Sequence, residues 1–217
     1  MERIELPGAV LRRIAVGGMD NNVYLLTATT GEQLLIDAAA DPTAIENLLA
    51  SASADAAAPG LRHVLTTHSH HDHIGALAAV ADAHPEADAI AGDADARAIT
   101  GATGVPIARR LQHGDTITLG DIDLAVIGLR GHTPGSVAVA CALPGVPAQL
   151  FTGDSLFPGG VGNTGGDRQR FSNLLNDVVA RIFDVFADDT VVWPGHGKPT
   201  TLGAERPHLD EWRARGW

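Results

Sequence analysis

The sequence lacks the features that would tie the protein to a membrane or to an oxidising compartment. Cys141 is the only cysteine among 217 residues, so no disulfide can form within the chain. Apolar runs stop short of the roughly 18 residues that suggest a membrane span. The amino-terminal stretch MERIELPGAVLRRIAVGG scatters charged residues where a secretory signal needs a continuous apolar segment. These absences predict a cytoplasmic protein with no membrane partner.

Positive charge is also scarce. The chain has 15 Lys and Arg residues against 26 Asp and Glu residues, which gives a formal net charge of -11, and no basic run forms a compensating patch. Such a surface repels phosphate backbones. We therefore expect a small-molecule substrate and no nucleic acid partner, while the oligomeric state stays open.

The remaining composition is that of a globular protein, with 45% hydrophobic and 19% charged residues. Strand-like runs such as EQLLIDA and SVAVACAL are separated by segments with helical spacing. Asp41 followed by Pro42 is typical of a helix start. The pattern predicts the α/β class and a single domain over residues 1–217.

Four histidines and one aspartate lie within the six residues HSHHDH, between a predicted strand and a predicted helix. Imidazoles this close would repel one another if protonated, and a divalent cation removes that cost by binding the neutral rings. The spacing singles out His68, His70, Asp72 and His73 as metal ligands on a loop.

Three later strand-to-loop junctions carry the same kinds of side chain, each beside a glycine: His132 in GHTPGS, Asp154 in TGDSLF and His196 in PGHG. Nitrogen and oxygen ligands in this number suit two borderline cations, with zinc as the first choice and iron or manganese as alternatives. Five other histidines match no ligand position, and we expect ordinary surface or packing roles for His63, His71, His84, His113 and His208.

In this order, the four motifs resemble the metallo-β-lactamase superfamily, from NNVYLL and LLIDAA to PGHG. The resemblance implies a four-layer αββα sandwich with the metals at the sheet edge. It implies a first metal held by His68, His70 and His132. It implies a second metal held by Asp72, His73 and His196, with Asp154 as the bridging ligand. Asp37 in LLIDAA would support the ligands from behind, or would only cap the strand.

Within the superfamily the chain is most similar to the glyoxalase II branch, the hydroxyacylglutathione hydrolases. That similarity implies a dinuclear zinc enzyme, in which Asp72 and Asp154 hold the metals and a hydroxide between the ions attacks a small thioester. Two departures concern the thiol carrier. Ser136 stands where histidine is common, and nothing after His196 corresponds to the helical domain that helps to hold glutathione.

Other activities remain open at this point. A lactonase would use the same two metals to hydrolyse cyclic esters. A persulfide dioxygenase would use one iron. A non-catalytic metal-binding module would catalyse no reaction. For substrate contacts we predict Arg168, Arg170 and Lys198, because arginine binds carboxylates bidentately and lysine acts as a point charge. Residues 158–166 are expected to form a wall of the site, and the role of the carboxyl-terminal segment stays open.

Overall fold

The computed structural model describes residues 1–216. Within them the strands are β1 (Glu2–Leu6), β2 (Ala9–Val16), β3 (Asn21–Ala28), β4 (Glu32–Ile36), β5 (Gly60–Thr66), β6 (Asp88–Gly92), β7 (Arg109–Leu111), β8 (Thr116–Leu119), β9 (Ile122–Gly128), β10 (Val137–Cys141), β11 (Gln149–Gly153), β12 (Leu156–Phe157), β13 (Gly160–Val161), β14 (Val191–Pro194) and β15 (Thr200–Thr201). The α-helices are α1 (Pro42–Ser51), α2 (Leu77–Ala83), α3 (Asp93–Thr103), α4 (Arg168–Val178), α5 (Leu202–Glu205) and α6 (Leu209–Arg215). Short 3-10 turns cover His71–His73 and Arg206–His208, and a π-helical turn covers Val179–Phe183.

The strands form two large sheets. The first has the order β1-β2-β3-β4-β5-β6-β7 and the second the order β15-β14-β11-β10-β9-β8, while β12 and β13 make a separate hairpin. Strands β4 to β7 are parallel neighbours, and so are β11 and β14. Because the carboxyl ends of parallel strands meet at one edge of a sheet, the segments that follow them are gathered there.

Alternating side chains of the strands separate two sides of each sheet. Leu26 and Leu34 of the first sheet pack with Phe151 of the second in the core between the sheets. Their neighbours Leu25 and Leu35 pack instead against the first three helices. The outer face of the second sheet is covered by α4 and the carboxyl-terminal helices. This helix–sheet–sheet–helix order confirms the predicted fold.

Two helices are flanked by irregular turns. The helix after the histidine cluster begins only at Leu77, because His71–His73 form a 3-10 turn first. The helix that begins at Arg168 widens into the π turn after Val178, where Arg181 donates to the Gly128 carbonyl over 2.6 Å. Across residues 1–216, none of the helices combines the length and apolarity that crossing a bilayer requires.

Candidate metal centre

Side chains from four strand-to-loop junctions converge at one edge of the two sheets. They follow β5, β9, β11 and β14. Among the described residues, three groups of histidine and carboxylate side chains place their ligand atoms within 4.8 Å of one another. These groups are His68, His70 and His132; His68, His73 and Asp154; and Asp72, His73 and His196. The structure thus brings together all seven predicted ligands.

The first cluster consists of His68, His70 and His132. Nε2 of His68 lies 3.2 Å from Nδ1 of His70 and 3.2 Å from Nε2 of His132. Nδ1 of His132 is 2.7 Å from the Asn163 carbonyl, which can only accept, so this nitrogen carries the proton and Nε2 keeps its lone pair. Burial lowers the pKa of His68 and of His132, which keeps both rings neutral and ready to bind a cation.

The second cluster consists of Asp72, His73 and His196. Nε2 of His196 lies 3.2 Å from Nε2 of His73 and 3.2 Å from Oδ2 of Asp72. Nδ1 of His196 donates to the Met19 carbonyl over 2.9 Å, which again leaves Nε2 free for a metal. Burial acts to raise the pKa of Asp72, but the hydrogen bond from Asn21 and the nearby His73 hold it below its ordinary value. Asp72 therefore supplies a negative charge that the first cluster lacks.

Asp154 lies between the two clusters. Its Oδ1 is 3.4 Å from Nε2 of His73, and its Oδ2 is 3.6 Å from Nε2 of His132 and 3.6 Å from Nε2 of His196. Oδ1 is buried and has no hydrogen-bond partner among the described residues. A buried carboxylate oxygen without a hydrogen bond is costly, and a bound cation would remove that cost. The donor set therefore fits bound metal cations, with Asp154 within reach of histidines in both clusters.

The charge of His73 supports the same conclusion. Burial acts to lower the pKa of His73, but the carboxylates of Asp37 and Asp154 raise it to about 10. The surrounding carboxylates thus favour a positive charge at this point, which a proton supplies when no metal does.

Two glycines leave room for the Asp154 carboxylate and its backbone. A Cβ on Gly195 would collide with Oδ1 of Asp154 and would lie 2.7 Å from Cε1 of His73. A Cβ on Gly162 would collide with the Asp154 carbonyl. The glycine before His196 in PGHG is therefore required by close approach at the centre.

Asp37 supports ligands of both clusters from behind. It follows β4 in a left-handed conformation (φ 60°), which aspartate tolerates better than most residues. Its carboxylate accepts from the backbone and the hydroxyl of Thr67, at 2.7 and 2.8 Å, and lies 2.8 Å from Nδ1 of His73. The Thr67 oxygen is in turn 3.0 Å from Nδ1 of His68. One buried carboxylate therefore orients His73 directly and His68 through Thr67.

Asp95 connects the two loops that carry the first cluster. Its Oδ2 accepts from the backbone N–H of Ser69 at 2.9 Å and from the hydroxyl of Thr133 at 2.5 Å, and its Oδ1 accepts from the backbone of Gly135 at 2.8 Å. Asp95 is 2% exposed, so these bonds operate away from water. This carboxylate fixes the spacing between the loop of His68 and the loop of His132.

The predicted substrate contacts differ in their surroundings: Arg170 is hydrogen-bonded to the protein backbone, whereas Arg168 and Lys198 are exposed side chains. Arg170 donates through Nε to the Gly131 carbonyl at 2.8 Å and through Nη2 to the His132 carbonyl. Its guanidinium therefore holds the His132 loop. Arg168, at the start of α4, and Lys198, two residues after His196, are exposed. Their contact with a substrate stays a prediction.

The histidines that were expected to have ordinary roles lie outside the three ligand groups found in residues 1–216. His71 is exposed even though it lies between ligands in the sequence. His84 lies 3.0 Å from Glu46 at the surface. The segment 158–166 contributes Asn163, whose carbonyl orients His132, and Gly162.

Sequence reasoning missed three residues that hold the ligands in place: Asn21, Thr67 and Asp95. Asn21 begins β3, Thr67 follows β5, and Asp95 lies in the first turn of α3 just after β6, all at the edge where the ligands meet. A polar residue at that junction was the available signal, but nothing in the sequence tells which ligand it touches.

A helix–sheet–sheet–helix sandwich with this centre at its edge defines a class of metal-binding proteins. The family model described as the Metallo-beta-lactamase superfamily matches residues 16–196. The chain belongs to that superfamily, whose members are typically metal-dependent hydrolases.

Relatives and solved structures agree with this assignment. The chain is 35% identical over 192 residues to a hydroxyacylglutathione hydrolase of a Polaromonas species, which covers 86% of this chain and 66% of that protein. The BLEG-1 B3 metallo-beta-lactamase superposes with a TM-score of 0.76 at 27% identity, covering 93% of this chain and 99% of the other. TTHA1623, solved in a di-iron-bound form, has a TM-score of 0.68 at 30% identity, covering 90% of this chain and 96% of the other. The chain thus spans slightly less than two thirds of the Polaromonas enzyme.

Proposed function

We propose that the chain is a dinuclear metallohydrolase that cleaves small thioesters. The observation that carries this proposal is the position of Asp154, which reaches His73 with one carboxylate oxygen and both His132 and His196 with the other. Two divalent ions held by these residues would lower the pKa of a bound water and polarise a substrate carbonyl. Zinc is the first candidate, and the di-iron relative supports iron as the alternative.

Hydrogen bonds to the protein backbone orient the side chains of the centre for that chemistry. Backbone carbonyls fix the Nδ1 protons of His132 and His196, so that their Nε2 atoms face inward. Water adds to the carbonyl carbon of the thioester, the carbon–sulfur bond breaks, and the products are a carboxylic acid and a thiol. Within the described residues the buried Ser155 hydroxyl has no hydrogen-bond partner, so it lacks the base that a serine nucleophile needs.

The substrate class rests on the relatives named hydroxyacylglutathione hydrolase. We expect weak discrimination between thiol carriers, because Arg170 is occupied by backbone carbonyls and leaves Arg168 and Lys198 as the predicted basic contacts. With so few basic contacts to the thiol carrier, we expect a high KM together with a usable kcat.

The first test combines metal analysis with a panel of thioesters and lactones. We expect close to two metal ions per chain, thioester cleavage, and a loss of activity by about 100-fold or more in Asp154→Ala. His71→Ala is the control, since this exposed side chain lies in the same motif but in none of the ligand groups. Near-normal activity of Asp154→Ala contradicts the two-metal mechanism, and cleavage of lactones alone favours the lactonase. A single redox-active iron favours the dioxygenase.

The second test concerns the thiol carrier. A glutathione thioester and a truncated thiol analogue should give similar kcat/KM, and Arg168→Ala should raise KM with kcat nearly unchanged. A strong preference for the intact glutathione thioester would show a dedicated carrier site.

A further inference from the structure

Asn21 occupies a buried position against the second cluster. It is 2% exposed, begins β3, and forms an isolated backbone bridge with His196. Its Nδ2 donates to Oδ2 of Asp72 over 2.9 Å and lies 3.4 Å from Nε2 of His196. The orientation of the amide is fixed, because a carboxylate oxygen can only accept.

The same Asp72 oxygen faces the histidines of the cluster. Oδ2 lies 3.2 Å from Nε2 of His196 and 3.5 Å from Nε2 of His73. A carboxylate oxygen has two lone pairs, so one can receive the Asn21 amide while the other remains for a cation. The Asn21 oxygen points toward Gly17, where a Cβ would lie 3.9 Å from it. Asn21 is therefore placed to orient a ligand and not to be one.

Neighbours of Asn21 hold the other loop of the same cluster. The Met19 carbonyl accepts from Nδ1 of His196. The Asn22 amide donates to the carbonyls of Pro194 and Gly197, at 2.9 and 3.0 Å, on either side of His196. Residues 19–22 thus fix both Asp72 and His196. The first cluster is oriented from elsewhere, by Thr67 and by the Asn163 carbonyl.

We propose that Asn21 is a positioning residue for the second metal site, and that its hydrogen bond to Asp72 sets the affinity for the second cation while leaving the first unaffected. Partners of metal ligands commonly contribute about 10- to 100-fold to metal affinity. The inference rests on the proposed dinuclear centre, and its test measures metal binding instead of hydrolysis.

The experiment titrates metal-free protein with Zn²⁺ against a competing chelator and resolves the two stepwise dissociation constants. Asn21→Leu keeps the approximate side-chain volume and removes the hydrogen-bond donor. Asn21→Ala removes the donor and most of the side-chain volume. In each variant we expect the second dissociation constant to rise about 10- to 100-fold and the first to change less than about twofold. Asn47→Ala, at an exposed position of α1, is the control and should leave both constants unchanged.

The ratio of the two dissociation constants distinguishes a positioning role of Asn21 from a general effect on the stability of the fold. A purely structural role would lower the melting temperature of the metal-free variants and weaken both sites alike, which overturns the proposal. Unchanged constants in a folded Asn21→Leu protein also overturn it. If the parent protein binds only one Zn²⁺, the dinuclear function fails together with this inference. If the parent binds two and Asn21→Leu binds two equally well, only the role of Asn21 fails.

Discussion

The two halves of the candidate centre differ in their ligand side chains and in the residues that hold those ligands. His68, His70 and His132 form a neutral set of three imidazoles, whereas Asp72 adds a negative charge to His73 and His196. The loops of the first half are tied together by the buried carboxylate of Asp95. In the second half, Asp72 and the loop of His196 are hydrogen-bonded to residues 19–22, which lie in the amino-terminal part of the first sheet.

Different residues therefore position the two halves of the one centre. Two carboxylates serve both halves: Asp37 contacts His73 and reaches His68 through Thr67, and Asp154 lies between the halves. Changes to these shared carboxylates should affect both cations, while changes to Asp95 or Asn21 should affect one half each.

The largest effect is expected where the two halves meet. Gly195→Ala places a Cβ against the Asp154 carboxylate and the His73 ring, so these side chains must shift. We expect kcat/KM to fall about 100-fold or more, because small displacements at a reacting centre are that costly. Metal content after dialysis should drop as well. Gly18→Ala is the matched control, because its Cβ meets open space on an exposed loop. Full metal content in Gly195→Ala would show that the centre tolerates the shift.

Asp95→Asn should damage the first half selectively. The amide group replaces one carboxylate oxygen with a donor, so it faces the donors on Ser69, Thr133 or Gly135 without a bond. We expect the first metal to bind about 10-fold more weakly and the unfolding free energy to fall by about 2 kcal/mol. Stepwise metal titration and urea unfolding measure the two effects. Asp93→Asn, exposed in the same turn of α3, is the control, and an equal loss at both metal sites contradicts the separation.

A smaller, pH-dependent effect is expected at Asp177, which accepts from the backbone and the guanidinium of Arg130 near the His132 loop. Burial acts to raise the pKa of Asp177, but the Arg130 hydrogen bonds and the charge of Arg181 hold it below its ordinary value. Its stabilisation is therefore complete above the unfolded-state pKa and is lost as the pH falls through the lower folded-state pKa.

Urea unfolding of metal-free Asp177→Asn measures this effect. The variant should be less stable than the parent by about 1 kcal/mol at pH 7, and the difference should shrink as the pH falls below about 4. A difference that is constant with pH would mean that the carboxylate charge contributes nothing.

Much of the fold could be predicted from the sequence because its signals are local. Runs rich in Val, Ile, Leu and Thr, bounded by Gly, Pro or Asp, predict the central strands. Asp41 with Pro42 predicts the start of α1, where the Asp41 carboxylate accepts from Ala44. The amino-terminal strand pair and α3 were not predicted. Short exposed strands such as β1 differ little from loops in a single sequence, and so does a helix like α3, which contains two aspartates, two threonines and a glycine.

By itself the sequence determined which side chains are available for metal binding, since HSHHDH and the later motifs already contain the seven candidate ligands in order. Only the tertiary structure decided which of them meet and what holds them. Asn21 lies 51 residues from Asp72 and 175 from His196, and Asp95 connects loops 26 and 40 residues away. Such contacts depend on which strands become neighbours, since the start of antiparallel β3 lies beside the end of β4 at the edge where the metal ligands meet, and no local pattern along the chain records that pairing.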